Sequence, residues 1–346
     1  HWGRVVPFLT EQSAFYNRFD AKQRDPIFWW YKARHPELIP TAPPPLERWS
    51  LRFEGEVIRE LEVDEAALRS LAEEQGSVSL LKTLRCSGDG PGKRHASNAV
   101  WTGVPLARVL EGVGVKPSAK RVRIHGEDGF TTSLRLSHLE DRGGRPTLLA
   151  FAINGQPMEH NRGGPVRLVV PDRYGFKNIK WIRRAVFTAD DSVWGNHEVA
   201  IRAGTDDGLE ALGSKILTPD LRDWNPSAET RRRDLTLRGV ALGGQSPVAK
   251  VEVRIDEGPW QLAALEPPEE LTSDPVVRQA VEGLPGAPWP LVGVWTPWSH
   301  PWTAPGPGNY AIRVRVTNTA GEVQQETDNK PIDGWSEQAF GRIVVS

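Results

Sequence analysis

Residues 49–57 alternate, with Trp49, Leu51 and Phe53 on one side and Ser50, Arg52 and Glu54 on the other. That period of two predicts a strand with one buried face. Residues 64–73 change to helical spacing, with Asp64 as a cap ahead of Ala67, Leu68 and Leu71, which predicts a helix. A second short helix is expected over 105–110. Strands are expected over 78–84, 121–124, 147–153, 167–171 and 179–187, with 167–171 apolar enough to be buried. After Arg233 the texture changes. Residues 235–242, 249–256 and 310–318 alternate with period two between Gly, Pro and Asn turns, which predicts a β-sandwich of immunoglobulin size. The stretch 195–230 is rich in Gly, Asp and Pro, and its later part reads as a linker. The expected division is therefore 1–228 and 229–346.

The first 45 residues fit neither period. They hold Phe15, Tyr16, Phe19, Phe28, Trp29, Trp30 and Tyr31, then the run Pro43, Pro44, Pro45. Consecutive prolines favour an extended arm.

Composition narrows the function classes. The chain has 346 residues, 43 basic against 44 acidic side chains, and a formal charge of -1. No field of one sign covers the molecule, so nucleic-acid binding is not expected. The Arg231, Arg232, Arg233 run reads as a solvated linker. No segment is apolar enough for a membrane span. The single cysteine excludes internal disulfides and cysteine-rich zinc sites.

That cysteine, Cys86, ends an apolar approach (Val78, Leu80, Leu81, Leu84) and opens a loop containing Gly88, Gly90 and Gly92. Glycines let a ligand approach the backbone closely. The cations Arg85, Lys93 and Arg94 favour a thiolate. On the residues alone three readings stand: buried filler, a nucleophile with His95 as base, or a thiolate metal ligand. A second segment, 160–184, combines a Gly-Gly-Pro turn and a buried strand with Arg167, Arg173, Lys177, Lys180 and Arg183. Cations beside backbone amides around 177–180 suit a phosphate or pyrophosphate, although neither a P-loop nor a GxGxxG fingerprint is present.

Several motifs share one order. They are the Cys86-Ser87-Gly88 loop, Ser97-Asn98-Ala99 with Trp101-Thr102-Gly103-Val104-Pro105-Leu106, Asn154-Gly155-Gln156-Pro157, Gly164 to Pro171, and Lys177-Asn178-Ile179-Lys180-Trp181. In that order they resemble the sulfite oxidase family of molybdopterin enzymes, over about residues 12–346. The resemblance implies an α+β sulfite-oxidase-type molybdopterin-binding domain followed by an all-β immunoglobulin-like sandwich that dimerises. It implies a molybdenum–molybdopterin cofactor with Cys86 as the protein thiolate on the metal. Arg167 corresponds to the family's pterin-phosphate arginine, and Asn178, Ile179 and Lys180, with Lys177 beside them, to its phosphate loop. Arg162 stands before the Gly-x-Pro turn, Asp128 matches a pterin-contacting Asp, and Tyr16, Asn17 and Arg18 match a cofactor-covering arm. That arm is closer to the methionine-sulfoxide-reducing branch than to the sulfite oxidases.

Three positions depart from sulfite oxidases. Asp89 and Gly90 stand where an Asn and a substrate-binding Arg are expected, and Phe130 where a tyrosine is expected. Lys93, Arg94 or Arg18 is expected to replace the missing charge, which makes Cys86, Arg18, Asp89 and Arg94 the candidate reaction-centre residues. His95 and His160 are the candidate proton carriers. The expected reaction is oxidation of sulfite, a small-molecule substrate, with sulfoxide reduction as the alternative. No haem or iron–sulfur motif is present, so a separate electron-transfer partner such as a cytochrome is expected. Extracytoplasmic location after export is expected by resemblance, with a cytoplasmic one as the alternative.

Overall fold

The computed structural model describes residues 7–16, 48–141, 143–195, 208–221, 226–282, 289–328 and 336–346. In the first module ten strands run in chain order as β1 (Ser50–Gly55), β2 (Leu61–Asp64), β3 (Val78–Arg85), β4 (Ala96–Pro105), β5 (Arg121–Gly126), β6 (Thr131–Arg135), β7 (Leu148–Ile153), β8 (Gln156–Pro157), β9 (Arg167–Val169) and β10 (Ile182–Thr188). They form two sheets, ordered β2-β1-β10-β5-β6 and β3-β4-β7-β8, with β9 pairing β7.

The expected patterns lie where the alternation placed them. In β1, Leu51 and Phe53 are fully buried while Arg52 is exposed. Helix α1 (Glu65–Gln75) begins at Asp64, whose carboxylate accepts the Ala67 N–H at 2.8 Å, satisfying one of the open donors of a helix start. Leu68 is its buried anchor. Helix α2 (Leu106–Val113) buries Leu106, Val109 and Val113. Both helices cover one core shared with Ile124, Leu149 and Leu168. The sheets therefore hold the ends of β3 and β9, where the chemistry-bearing loops emerge, in a rigid frame.

The second module holds β11 (Leu212–Thr218), β12 (Ser227–Thr230), β13 (Asp234–Gly243), β14 (Val248–Ile255), β15 (Gln261–Leu262), β16 (Ala264–Leu265), β17 (Thr296–Thr303), β18 (Gly308–Asn318) and β19 (Ala339–Val345). Its two sheets are ordered β11-β13-β17-β16 and β12-β19-β18-β14-β15. Leu237, Val251, Val253, Val314 and Ile343 form the sandwich core with Trp298.

The expected boundary at 229 is corrected by β11. This strand pairs with β13 along its whole length, so the sandwich begins at Leu212, inside the stretch read as linker. Glycine and proline density marked the flanks of 195–230 and hid a seven-residue strand within it.

The modules meet through a third apolar cluster. It joins Phe8, Leu81 and Val100 to Val240, Leu242 and Leu291, with Val277 and Ala280 of α4; here α3 is Glu270–Ser273 and α4 is Pro275–Glu282. Trp295 belongs to this joint, and its Nε1 donates to Phe8 O at 3.1 Å. No described helix is long and apolar enough to cross a membrane.

Candidate functional site

Strand β3 ends at Arg85, and the next N–H, that of Cys86, donates to His95 O at 2.9 Å. This bond closes a loop over 86–95. Inside it the Asp89 N–H donates to Cys86 O and the Lys93 N–H to Gly90 O, both at 3.0 Å. Cys86 is a free, half-buried thiol. Tyr16 is near enough to feel its charge, and is anchored by its N–H on Ser97 Oγ at 3.0 Å and by its ring on Phe15. Burial, and then the charge of Cys86, raise the Tyr16 phenol well above its ordinary value. A Cβ at position 175 would sit 2.5 Å from Tyr16 Oη, so Gly175 is what lets the tyrosine approach.

Asp89 was expected beside the reaction centre. Its carboxylate is instead fully buried, with Lys215 Nζ at 2.9 Å, Arg85 Nε at 3.4 Å and the His95 N–H at 2.8 Å. Burial opposes its ionisation, but Lys215 and then Arg85 hold it below the usual carboxylate value. A carboxylate enclosed in this way cannot meet a substrate. Arg94 is also drawn elsewhere: it donates to Ile216 O at 3.0 Å, Leu221 O at 2.8 Å and Asp220 Oδ1 at 3.1 Å. Asn17 and Arg18 lie outside the described residues.

Arg167, at the start of β9, is buried over the Trp101 ring. It donates to Arg162 O at 2.8 Å and Asn178 O at 2.9 Å, while its Nε is buried without a hydrogen-bond partner. Burial pushes its guanidinium down to about 10, with Tyr16 raising it and Arg162 lowering it; no carboxylate among the described residues offsets it. Gly163, at φ +106, brings its neighbours together, since a Cβ there would lie 3.0 Å from Lys180 and 3.1 Å from Arg167. Asp128 is near enough to Lys180 to feel its charge. Its Oδ1 accepts the Phe130 N–H at 3.1 Å, and burial raises its carboxyl above the ordinary value.

The other candidates near this cradle take different places. Lys177 is completely buried and donates to Ser133 O of β6 at 2.7 Å, so it points into the core. The N–H groups of Lys177 and Asn178 bond Tyr174 O and Gly175 O, and the Asn178 amide serves Val170 N, Arg173 O and Tyr174 O. Asn178 thus shapes the loop, while Arg167 and Lys180 supply its charge. Phe130 is packed into the first module's core. Arg162 pins the N-terminal segment through Phe15 O at 2.7 Å, and His160 sits on an exposed turn against Trp181.

A buried cation with an orphaned donor and no carboxylate suits a bound anion, and the pterin phosphate fits it. Among the described residues no three His, Cys, Asp or Glu side chains gather as a metal set. One thiolate in a glycine-lined loop therefore fits a metal whose other ligands come with an organic cofactor.

Sequence reasoning missed Lys215, the buried Lys82–Glu210 ion pair at 2.8 Å and Tyr174, whose hydroxyl accepts the Ala211 N–H at 3.0 Å. Lys215 acts across the joint, and the other two hold residues 210 and 211 just ahead of the sandwich. A lysine among Leu212, Ile216 and Leu217 was the one visible sign.

Comparison with known proteins agrees with this reading. Residues 39–194 match the family described as oxidoreductase molybdopterin binding domain. Nitrate reductase [NADH] 1 of Nicotiana tabacum is 28% identical over 271 residues, 65% of this chain and 30% of its own length. The mitochondrial sulfite oxidase of Drosophila melanogaster is 30% identical over 217 residues, 55% of this chain and 37% of its own. The chain thus spans about a third of the length of these curated relatives. The structure of the sulfane dehydrogenase SoxCD from Paracoccus pantotrophus shares the fold, with TM-score 0.68 over 92% of this chain and 75% of that one, at 18% identity. Residues 39–194 thus match a molybdopterin-binding oxidoreductase domain, the chain is similar to sulfite oxidases and nitrate reductases, and that match implies molybdenum held by molybdopterin as the cofactor.

Proposed function

We propose that this protein oxidises sulfite to sulfate, taking the oxygen from water and passing two electrons to a separate redox protein such as a cytochrome. The carrying observation is that Asp89, the one carboxylate in the Cys86 loop, is neutralised by Lys215 and Arg85. The loop therefore does not repel an anion, and the cations around it leave the site attractive to one. Bound molybdenum supplies the two-electron oxygen-atom chemistry. Cys86 supplies the protein thiolate for the metal, and Arg167 and Lys180 hold the pterin phosphate. Tyr16 covers the site and excludes water. His95, its ring 6.5 Å from that of Tyr16, is placed to carry away a proton released on oxidation.

Sulfoxide reduction is the second reading. It is favoured by Gly90 and by the commitment of Arg94 to the joint, which leave the loop without a substrate arginine. Assays of the holoprotein separate the two. Sulfite with cytochrome c or ferricyanide as acceptor is expected to turn over; sulfoxides, and nitrate as a control from the relatives, are offered with a reduced viologen. Turnover of sulfoxide without sulfite oxidation would overturn the first reading in favour of the second. We also propose a homodimer formed through the second module and a location outside the cytoplasm. Light scattering that returns a monomer mass, or holoprotein found only in the cytoplasmic fraction, would count against these.

A further inference from the structure

The Cys86 loop is held from outside its own module. From β11, Lys215 Nζ reaches three acceptors: Asp89 Oδ1 at 2.9 Å, Gly90 O at 3.1 Å and Lys93 O at 2.8 Å. An ammonium has three donors, so all of them are spent on this loop. Arg85, the residue before the cysteine, donates to Ala211 O at 2.9 Å and Asp89 O at 3.2 Å. Its guanidinium lies flat on Gly213 of β11, where a Cβ would approach within 2.8 Å. Both charged partners are almost without solvent exposure. A buried pair with every donor engaged is rigid, because breaking any one bond leaves a desolvated group unpaired.

We propose that Lys215 is a positioning residue for the metal site: through Asp89, Gly90 and Lys93 it sets the loop that carries the Cys86 sulfur. The sandwich then has a task within the catalytic module besides any role in assembly. Asp89 takes part as the counter-charge that seats Lys215, which explains an acid in a loop beside an anion site. This rests on Cys86 being the metal ligand, and the experiment separates the two ideas.

The probes are Lys215→Met and the double variant Asp89→Asn/Lys215→Gln, which keeps the Asp89 shape, leaves a shorter polar side chain at 215 and removes both charges. A matched control is Gln245→Ala, which cuts bonds from Gln245 to Asp172 O and Glu210 O elsewhere in the joint. In the holoprotein, three readouts are compared: sulfur-to-molybdenum charge-transfer absorption, hydrogen exchange of the peptide covering 86–95, and kcat against KM. Lys215→Met is expected to shift the absorption band and speed exchange of that peptide roughly tenfold or more. It should lower kcat more than it changes KM, with the control leaving band and peptide unchanged. If Lys215→Met does not fold, the double variant is read in the same way. An unchanged band and unchanged 86–95 exchange in a folded variant overturn the proposal. Cys86→Ser is made alongside: if it keeps the wild-type band, the ligand assignment itself fails, whatever Lys215 does.

Discussion

Arg167 in the phosphate cradle and Lys215 in the module joint are both buried cations that burial makes easier to deprotonate, to about 10 and about 8. They differ in what surrounds them. Lys215 faces the Asp89 carboxylate and two carbonyls, so its charge is cancelled inside the chain. Among the described residues Arg167 faces carbonyl oxygens, the Trp101 ring, a tyrosine and another arginine, but no carboxylate, and keeps an idle Nε. The joint is electrostatically complete, whereas the cradle is completed by an anion from outside. Burial alone would mark both as candidate sites; the presence or absence of a carboxylate tells structure from binding.

Each side of that contrast can be broken separately. The largest effect is expected from Asp89→Ala, which strands Lys215 as an uncompensated buried charge. Removing one partner of such a pair costs about 3–5 kcal/mol, read as a fall in Tm on the order of 10 °C. A variant with wild-type Tm would mean that the pair contributes nothing.

Next in size is Tyr174→Phe. Burial, against Arg85, pushes the Tyr174 phenol up to about 12 from an unfolded value of 10. A folded value above the unfolded one gives stability that is complete below pH 10 and lost as pH rises toward 12. The wild type should therefore lose about 2–3 kcal/mol across that window. Denaturant melts at several pH values should show this loss absent in the phenylalanine variant.

Arg167→Met tests the other side. One or two charge-assisted hydrogen bonds to the phosphate are worth about 1.5–3 kcal/mol, so cofactor retention should weaken roughly 10- to 100-fold. The cofactor-free variant should melt no lower than cofactor-free wild type, since an uncompensated charge has been removed. A large drop in its melting temperature would mean that Arg167 is chiefly structural. The smallest effect, about 1 kcal/mol or less, is expected from Lys180→Met. Lys180 is half-buried, with its Nζ over Trp181, so water shares its charge. Phosphate-group exchange or cofactor release rates would rank it below Arg167.

Much of this was legible from one dimension. Alternation located β1 and its buried face, the Asp64 cap located α1, and Cys86 with the 160–184 segment pointed to the loops that now stand together. The misreadings share a cause. Lys177 and Lys180 are three residues apart in one basic segment, yet one enters the core toward Ser133 and the other borders the cradle. Asp89 and Arg94 sit in the expected loop, but their partners come from β11 and the turn after it, more than 120 positions away.

The order of residues by itself determined the strand and helix periods, the single thiol, the basic segment, and the resemblance to the sulfite oxidase family. These are local or compositional properties, read along the chain. Only the tertiary structure decided which charges are spent and which are left over, because cancellation depends on what burial brings within about 3 Å, and spacing in the chain says nothing of that distance. It also moved the start of the sandwich to Leu212 and placed Lys215 beneath the cysteine loop. The strand β11 joins its sheet within the second module, whereas Lys215 finds its carboxylate only when both modules are in place.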